Sequence, residues 1–175
     1  SDVCSSDLAE SAVRAMGRTA RGVRGIKLAQ GHRLISLVVP KEGSKILTVS
    51  ENGYGKRSET QEFPVKGRGT KGVIGMTMSE RNGSLVGAEQ VWDGDEMMLI
   101  SNQGTAVRTR VEEVSVQGRN TQGVRVIKTR DGEALVSVSR IAEDDIDAAG
   151  PASDLDQQVS GGAPPDDTGI PAGDV

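Results

Sequence analysis

Arginine and glycine recur together along this chain in a spacing that suits an anion. The segment Gly17-Arg18-Thr19-Ala20-Arg21-Gly22-Val23 returns as Gly67-Arg68-Gly69-Thr70-Lys71-Gly72-Val73 and again as Gly118-Arg119-Asn120-Thr121-Gln122-Gly123-Val124, at steps of 50 and 51 residues. Glycine permits a tight turn with positive φ, and the backbone N–H groups and basic side chains of such a turn face an anion. Three basic columns result: Arg18, Arg68 and Arg119; Arg21 and Lys71; and Arg57 with Arg108, where Lys56 lies beside Arg57. A column repeated on successive units lays down a stripe of positive charge. That is the footprint of a partner running past many units, and duplex DNA has this shape. The competing reading is that exposed turns merely tolerate arginine, or that these residues pair with Glu51, Glu80 or Glu112 across units.

Other chemistry is thin. Gly67-Arg68-Gly69-Thr70-Lys71-Gly72 spells a dinucleotide-binding string, but no helix follows it, and the other two copies carry Thr19 and Asn120 at the middle glycine. His32, the single histidine, stands beside Gly31 in an expected turn and reads as a surface residue rather than a general base. Asp93, Asp95 and Glu96 do not complete a calcium loop, and an Asp-Gly turn explains them better. Tyr54, next to Lys56 and Arg57, lacks the acidic cluster or adjacent base that a DNA-cleaving tyrosine needs. With Phe63 and Trp92 it completes the aromatic set, too small for the stacking platforms of single-strand or RNA binders, which favours contacts to a duplex backbone. No helix-turn-helix or zinc-ligand spacing offers base-edge readout, so sequence preference would come from DNA deformability.

The elements that must position these turns are short strands. Apolar runs at Leu34 to Val39, Ile46 to Val49, Val73 to Met78, Leu85 to Val91, Met97 to Ile100, Val124 to Ile127 and Leu135 to Val138 are separated by turn signals such as Asn52-Gly53, Asn82-Gly83, Asp93-Gly94 and Asp131-Gly132. Spaced so, they predict an all-β domain. Val111 to Val116 reads as either a helical turn or a strand. A period of about 50 residues built from strands marks a blade repeat, in which each small sheet buries its apolar face on its neighbours. Residues 9–141 hold roughly two and a half blades, a partial ring that is not expected to close.

Charge divides the chain in two. Residues 9–141 carry all 21 basic side chains against 14 acidic ones, a balance of +7, whereas residues 142–175 hold nine acidic residues and no basic one. Rich in Asp, Gly, Pro, Ser and Ala, that end is expected to be a disordered acidic tail. Its Asp144, Asp145, Asp147, Asp154 and Asp156 are candidates for a regulatory role in competing with DNA for the basic surface. Cys4 is the only cysteine, so no internal disulfide is possible, and no apolar run reaches the roughly 18 residues needed to span a bilayer. A cytoplasmic, nucleoid-associated protein with no membrane partner is the expectation. Residues 1–8 fit no repeat column; Asp2-Val3-Cys4-Ser5-Ser6-Asp7-Leu8 reads as a translated sequencing adapter joined to a partial reading frame.

The strings Glu51-Asn52-Gly53-Tyr54-Gly55-Lys56-Arg57-Ser58, Arg68-Gly69-Thr70-Lys71-Gly72-Val73 and Gly118 to Val124, together with Met16-Gly17-Arg18 and Gly22-Val23-Arg24-Gly25-Ile26, closely resemble the C-terminal domain of the A subunit of bacterial DNA gyrase. The likeness runs from about Val13 to Val138, and the acidic tail resembles that of gammaproteobacterial members. The resemblance implies a β-pinwheel, a six-bladed propeller-like disc whose neighbouring blades exchange strands and around whose basic rim duplex DNA bends. It implies support for ATP-dependent negative supercoiling in a heterotetramer formed with the gyrase B subunit, together with the rest of the A subunit; ATP and Mg2+ would act on other domains or subunits. The turns match degenerate later-blade copies of the gyrase box, whose Gln-Arg-Arg-Gly-Gly-Lys-Gly form is missing; the nucleophilic tyrosine and the DNA-breakage domain are missing as well, so no cofactor and no catalytic residue is expected in this piece. The corresponding domain of topoisomerase IV is the nearest alternative. A propeller that serves as a protein-interaction scaffold is the alternative from another class; it would bind without sensitivity to salt.

Overall fold

Short β-branched and aliphatic runs cut by Asn-Gly and Asp-Gly turns give short antiparallel strands here. The computed structural model describes residues 3–5 and 7–143, and Asp144, Asp145, Asp147, Asp154 and Asp156 lie outside them. The described residues form nine strands: β1 (Val3–Ser5), β2 (Lys45–Ser50), β3 (Tyr54–Glu59), β4 (Val73–Met76), β5 (Leu85–Val91), β6 (Glu96–Ser101), β7 (Ala106–Arg110), β8 (Val124–Arg125) and β9 (Leu135–Ile141). Single 3-10 turns at Glu10–Ala12, Thr60–Glu62 and Val111–Glu113 occupy matching places in the three repeats. The last of them resolves the ambiguous stretch as a turn, and Val116 beyond it makes a β-bridge to Arg57.

One sheet has the order β5-β2-β3-β8 and a second β7-β6-β9, all pairs antiparallel; β1 and β4 form a two-stranded piece. Alternation in β6 turns Met97, Leu99 and Ser101 inward and leaves Met98 and Ile100 outside. The core lies between the two larger sheets: Leu47, Val49 and Val91 on one side, Met97, Leu99, Leu135 and Val138 on the other, with Val111 and Val114 closing one end. β5 packs on β9, and Gly87 allows the close approach, since a Cβ there would lie 2.6 Å from Val138 Cγ1. Burying each such aliphatic side chain stabilises the fold by about 1.5–3 kcal/mol.

Successive repeats exchange backbone. The outer edge of β3 is covered by the following repeat: Arg57 N–H donates to Ser115 O (3.1 Å), Gln117 N–H donates to Arg57 O (2.8 Å), and β8 pairs antiparallel with Tyr54 and Gly55. One repeat earlier residues 3–5 and 7 stand in the place of β3 and are covered in the same way. β1 pairs with β4, Asp7 bridges Val65 in parallel as Arg57 bridges Val116, and Lys66 N–H donates to Asp7 O (2.8 Å). Residues 3–5 and 7, expected to fit no repeat, therefore take the edge position that Tyr54–Arg57 take 50 or so residues later. Backbone pairing asks little of side-chain identity, which is why a segment without the repeat's sequence can fill the place.

The run Leu34 to Val39 departs from expectation. Its counterparts are β5 and β9, yet it forms no strand, and Leu34, Leu37 and Val39 are exposed. β5 pairs with β2 and β9 with β6 as neighbours in their sheets, and among the described residues nothing supplies the equivalent strand to Leu34–Val39. Its visible tie to the body is Ser36 Oγ donating to Ala88 O (2.5 Å). The architecture is all-β, an open run of propeller-like blades.

Candidate nucleic-acid interface

The three glycine-arginine turns are built alike. Gly22, Gly72 and Gly123, which close them, have φ of 80°, 80° and 77°, the left-handed region in which a side chain costs roughly 1–2 kcal/mol. Gly123 is doubly constrained, since a Cβ there would lie 2.6 Å from Gly55 O where β8 meets β3.

Neighbouring turns are joined by one recurring bond. Lys27 N–H, just past the first turn, donates to Thr70 O in the second (2.8 Å), and Thr77 N–H, just past the second, donates to Thr121 O in the third (3.0 Å). Buried Asn82 strengthens the second junction, its Nδ2 donating to Thr77 O (2.9 Å) and Gln122 O (3.3 Å). The turns therefore stand in a row, each hydrogen-bonded to the next.

Arg18 and Arg21 of the first turn and Arg68 and Lys71 of the second are exposed, without an ion-pair partner among the described residues. Arg119 of the third is half-buried and ties its turn to β4, Nη1 donating to Ile74 O (2.7 Å), so only part of its guanidinium faces solvent. Arg108 projects from β7 and is paired with Glu96.

Lys56 and Arg57, expected in the basic stripe, sit inside. Lys56 has no exposed surface; its Nζ donates to Gly118 O (2.8 Å), to Arg119 O and to Thr121 Oγ1 (3.3 Å). Burial, and then the Arg119 guanidinium nearby, lower its ammonium to a pKa of about 8. Arg57 is buried too, with Nε donating to Val114 O (2.5 Å), Nη2 to Glu112 O (3.2 Å) and Nη1 paired with Asp93. Both residues hold the third repeat onto the second and leave nothing for a phosphate. β3 is covered by the next repeat on its far edge, and that cover turns a polar hairpin strand into an interior one.

The acidic residues around Asp93 are likewise internal partners rather than a metal loop. Asp93 accepts from Lys45 Nζ (3.0 Å) and pairs with Arg57. Buried Asp95 accepts from Arg140 (2.5 and 2.9 Å) and from Trp92 N–H (2.8 Å). His32 is exposed in a turn closed by its N–H donating to Ala29 O (3.1 Å).

Two cations beyond the expected columns gather at the β2–β3 hairpin. Arg81 and Arg125 approach the Tyr54 ring, with Cζ 4.7 and 5.4 Å from its centroid, and Arg125 Nη2 donates to the Tyr54 hydroxyl (2.8 Å). The guanidiniums of Arg81 and Arg125 hold the phenol below its usual pKa. They belong to different places in the repeat: Arg125 is matched by Ile74 one repeat back and by Arg24 two repeats back, whereas Arg81 has no basic counterpart, so only the fold brings the two together.

The sequence model of the family described as DNA gyrase C-terminal domain, beta-propeller, matches residues 8–41, 44–91 and 95–142. Among curated relatives, the A subunit of DNA gyrase from Pseudomonas aeruginosa is 58% identical over 135 residues, covering 77% of this chain and 15% of the relative. The A subunit of DNA gyrase from Escherichia coli K12 is 49% identical over 156 residues, covering 86% and 18%. A solved DNA gyrase A C-terminal domain superposes with a TM-score of 0.69 at 35% identity, over 76% of this chain and 45% of that one. The C-terminal domain of DNA topoisomerase IV gives a TM-score of 0.72 at 22% identity, over 81% and 46%, a likeness of fold alone. The chain thus spans less than a fifth of the length of these curated relatives.

Proposed function

This chain belongs to the DNA gyrase C-terminal domain family, and from that premise we propose that it binds and bends duplex DNA along its row of glycine-arginine turns. The observation that carries the reading is the repeated bond from Lys27 to Thr70 and from Thr77 to Thr121, which lines up the turns bearing Arg18, Arg21, Arg68 and Lys71. Those four exposed side chains, with part of Arg119, neutralise phosphates. Arg108 joins them by exchanging its Glu96 partner for a phosphate. Lys56 and Arg57 act indirectly, by holding the third turn in place.

Displaced counterions drive much of the binding, so the affinity falls with a log–log salt slope of about −0.9 per phosphate neutralised. Bending a site by 40–90° costs roughly 1–6 kcal/mol, so contacts on successive repeats must offset it together. Wrapping of this kind serves supercoiling by a whole gyrase in the cytoplasm, partnered by the B subunit, with strand breakage, ATP and Mg2+ assigned to parts outside this chain. The acidic residues from Asp144 onward compete with DNA for the turns.

The test is fluorescence anisotropy of a labelled duplex against salt, with the 175-residue chain and with a version ending at Glu143, both checked for folding by circular dichroism. Salt-sensitive binding, tighter without the tail, is expected. A folded protein that fails to bind at low salt, or binds with no salt dependence, refutes the reading and favours a protein-interaction scaffold.

A further inference from the structure

We propose that Arg81 and Arg125, gathered on Tyr54, form a second phosphodiester site for duplex DNA, beside the row of turns. This inference rests on the DNA-binding reading and adds a site to it.

The site is held from both sides. Asn52 Nδ2 donates to Glu80 O and Arg81 O (3.2 Å each), pinning the turn that carries Arg81 to the tip of the β2–β3 hairpin. Asn82, the next residue, accepts from Ser79 N–H (2.7 Å) and fixes the same turn from behind. Arg125 lies directly opposite Tyr54 in the β3–β8 register, so its backbone is set by the strand pair. Tyr54 is almost fully covered, and a buried ring with a fixed hydroxyl is a rigid platform for guanidinium groups.

Two like charges share one ring, and neither has a carboxylate within ion-pair distance among the described residues. The nearest acid in sequence on the hairpin, Glu51, is engaged by Ser84 N–H (2.7 Å). Lys45 and Arg57 meet Asp93 and Arg108 meets Glu96, whereas Arg81 and Arg125, like Arg18, Arg21, Arg68 and Lys71 of the turns, meet no acid among the described residues. A doubly positive spot left without an acid suits an anion with two acceptor oxygens, one for each guanidinium, and planar guanidinium favours such oxygen pairs. Arg125 follows Gly123 by two residues, so the spot adjoins the end of the third turn and a duplex tracking the row reaches it.

The experiment compares salt-dependent duplex binding of the full chain with Arg81→Gln/Arg125→Gln, Arg81→Lys/Arg125→Lys, Tyr54→Phe, and a control that removes two exposed arginines elsewhere, Arg110→Gln/Arg130→Gln. The glutamine pair is expected to reduce the magnitude of the salt slope by about 0.9, the value for one phosphate. The lysine pair keeps the slope. Tyr54→Phe, with net charge and ring retained, weakens binding about threefold through loss of the hydroxyl that orients Arg125. If the wild type binds with salt sensitivity but the glutamine pair behaves as the wild type or as the control pair, this site is overturned while the turns stand. If the wild type does not bind, both fall.

Discussion

Lys56 gives the sharpest test of how the repeats are joined. Its ammonium is wholly buried on carbonyls of the next repeat, with a pKa of about 8 in the folded protein against 10.5 for an ordinary lysine. A lysine whose folded pKa is depressed releases its proton more readily in the folded chain than in the unfolded one. Between those two values the unfolded chain binds more protons, so stability rises with pH. Below about pH 8 the full cost of burying the charge is present, about 3 kcal/mol at 1.36 kcal/mol per pH unit. Linkage then relieves about 1.3 kcal/mol between pH 7 and 9 and about 2.5 kcal/mol by pH 10. Urea denaturation of the wild type and of Lys56→Met across this range isolates the effect, because groups common to both cancel in the difference. The stability of the wild type relative to Lys56→Met should climb by those amounts as pH rises. A flat difference, or one that falls with pH, would refute the assignment of Lys56 as a desolvated ammonium inside the repeat junction.

Replacing Arg57 by leucine removes the donors to Val114 O and Glu112 O and the pair with Asp93; a loss of about 2–3 kcal/mol is expected in denaturant melts. Gly53→Ala should cost far more than Gly22→Ala. Both have φ near 80°, but a Cβ at Gly53 would lie 2.3 Å from Ile127 O, while at Gly22 it meets open space; a thermal-melt ranking in the opposite order would refute the close packing there. Glu133 is held down to a pKa of about 2 by the Ser101 and Thr105 hydroxyl-bearing side chains and the Arg130 N–H. Its contribution is therefore complete above about pH 4.5 and lost as pH falls toward 2, and acid titration of Glu133→Gln should lack that part of the unfolding limb.

Much of this molecule is legible in one dimension. The step of 50 and 51 residues identifies which positions are equivalent, because every blade must present the same turn to its neighbour, and Gly22, Gly72 and Gly123 are glycine because each adopts positive φ. Runs of alternating apolar residues place β2, β5, β6 and β9, since strand burial has a period of two. Period alone does not say what lies on top of a strand. Lys56 and Arg57 occur in a polar hairpin and read as surface residues, yet a segment some 60 residues further on covers their edge and takes up their donors. Leu34 to Val39 reads as a strand, yet a strand exists only with a hydrogen-bonding partner, and among the described residues none reaches it. Arg81 and Arg125 share no column and no motif; they meet on Tyr54 because antiparallel register and an asparagine-pinned turn bring distant residues to one ring. The sequence by itself determined the repeat, its turns and its family, since these depend on local backbone chemistry. Only the tertiary structure decided which cations remain at the surface, since that depends on how each repeat is covered by the next.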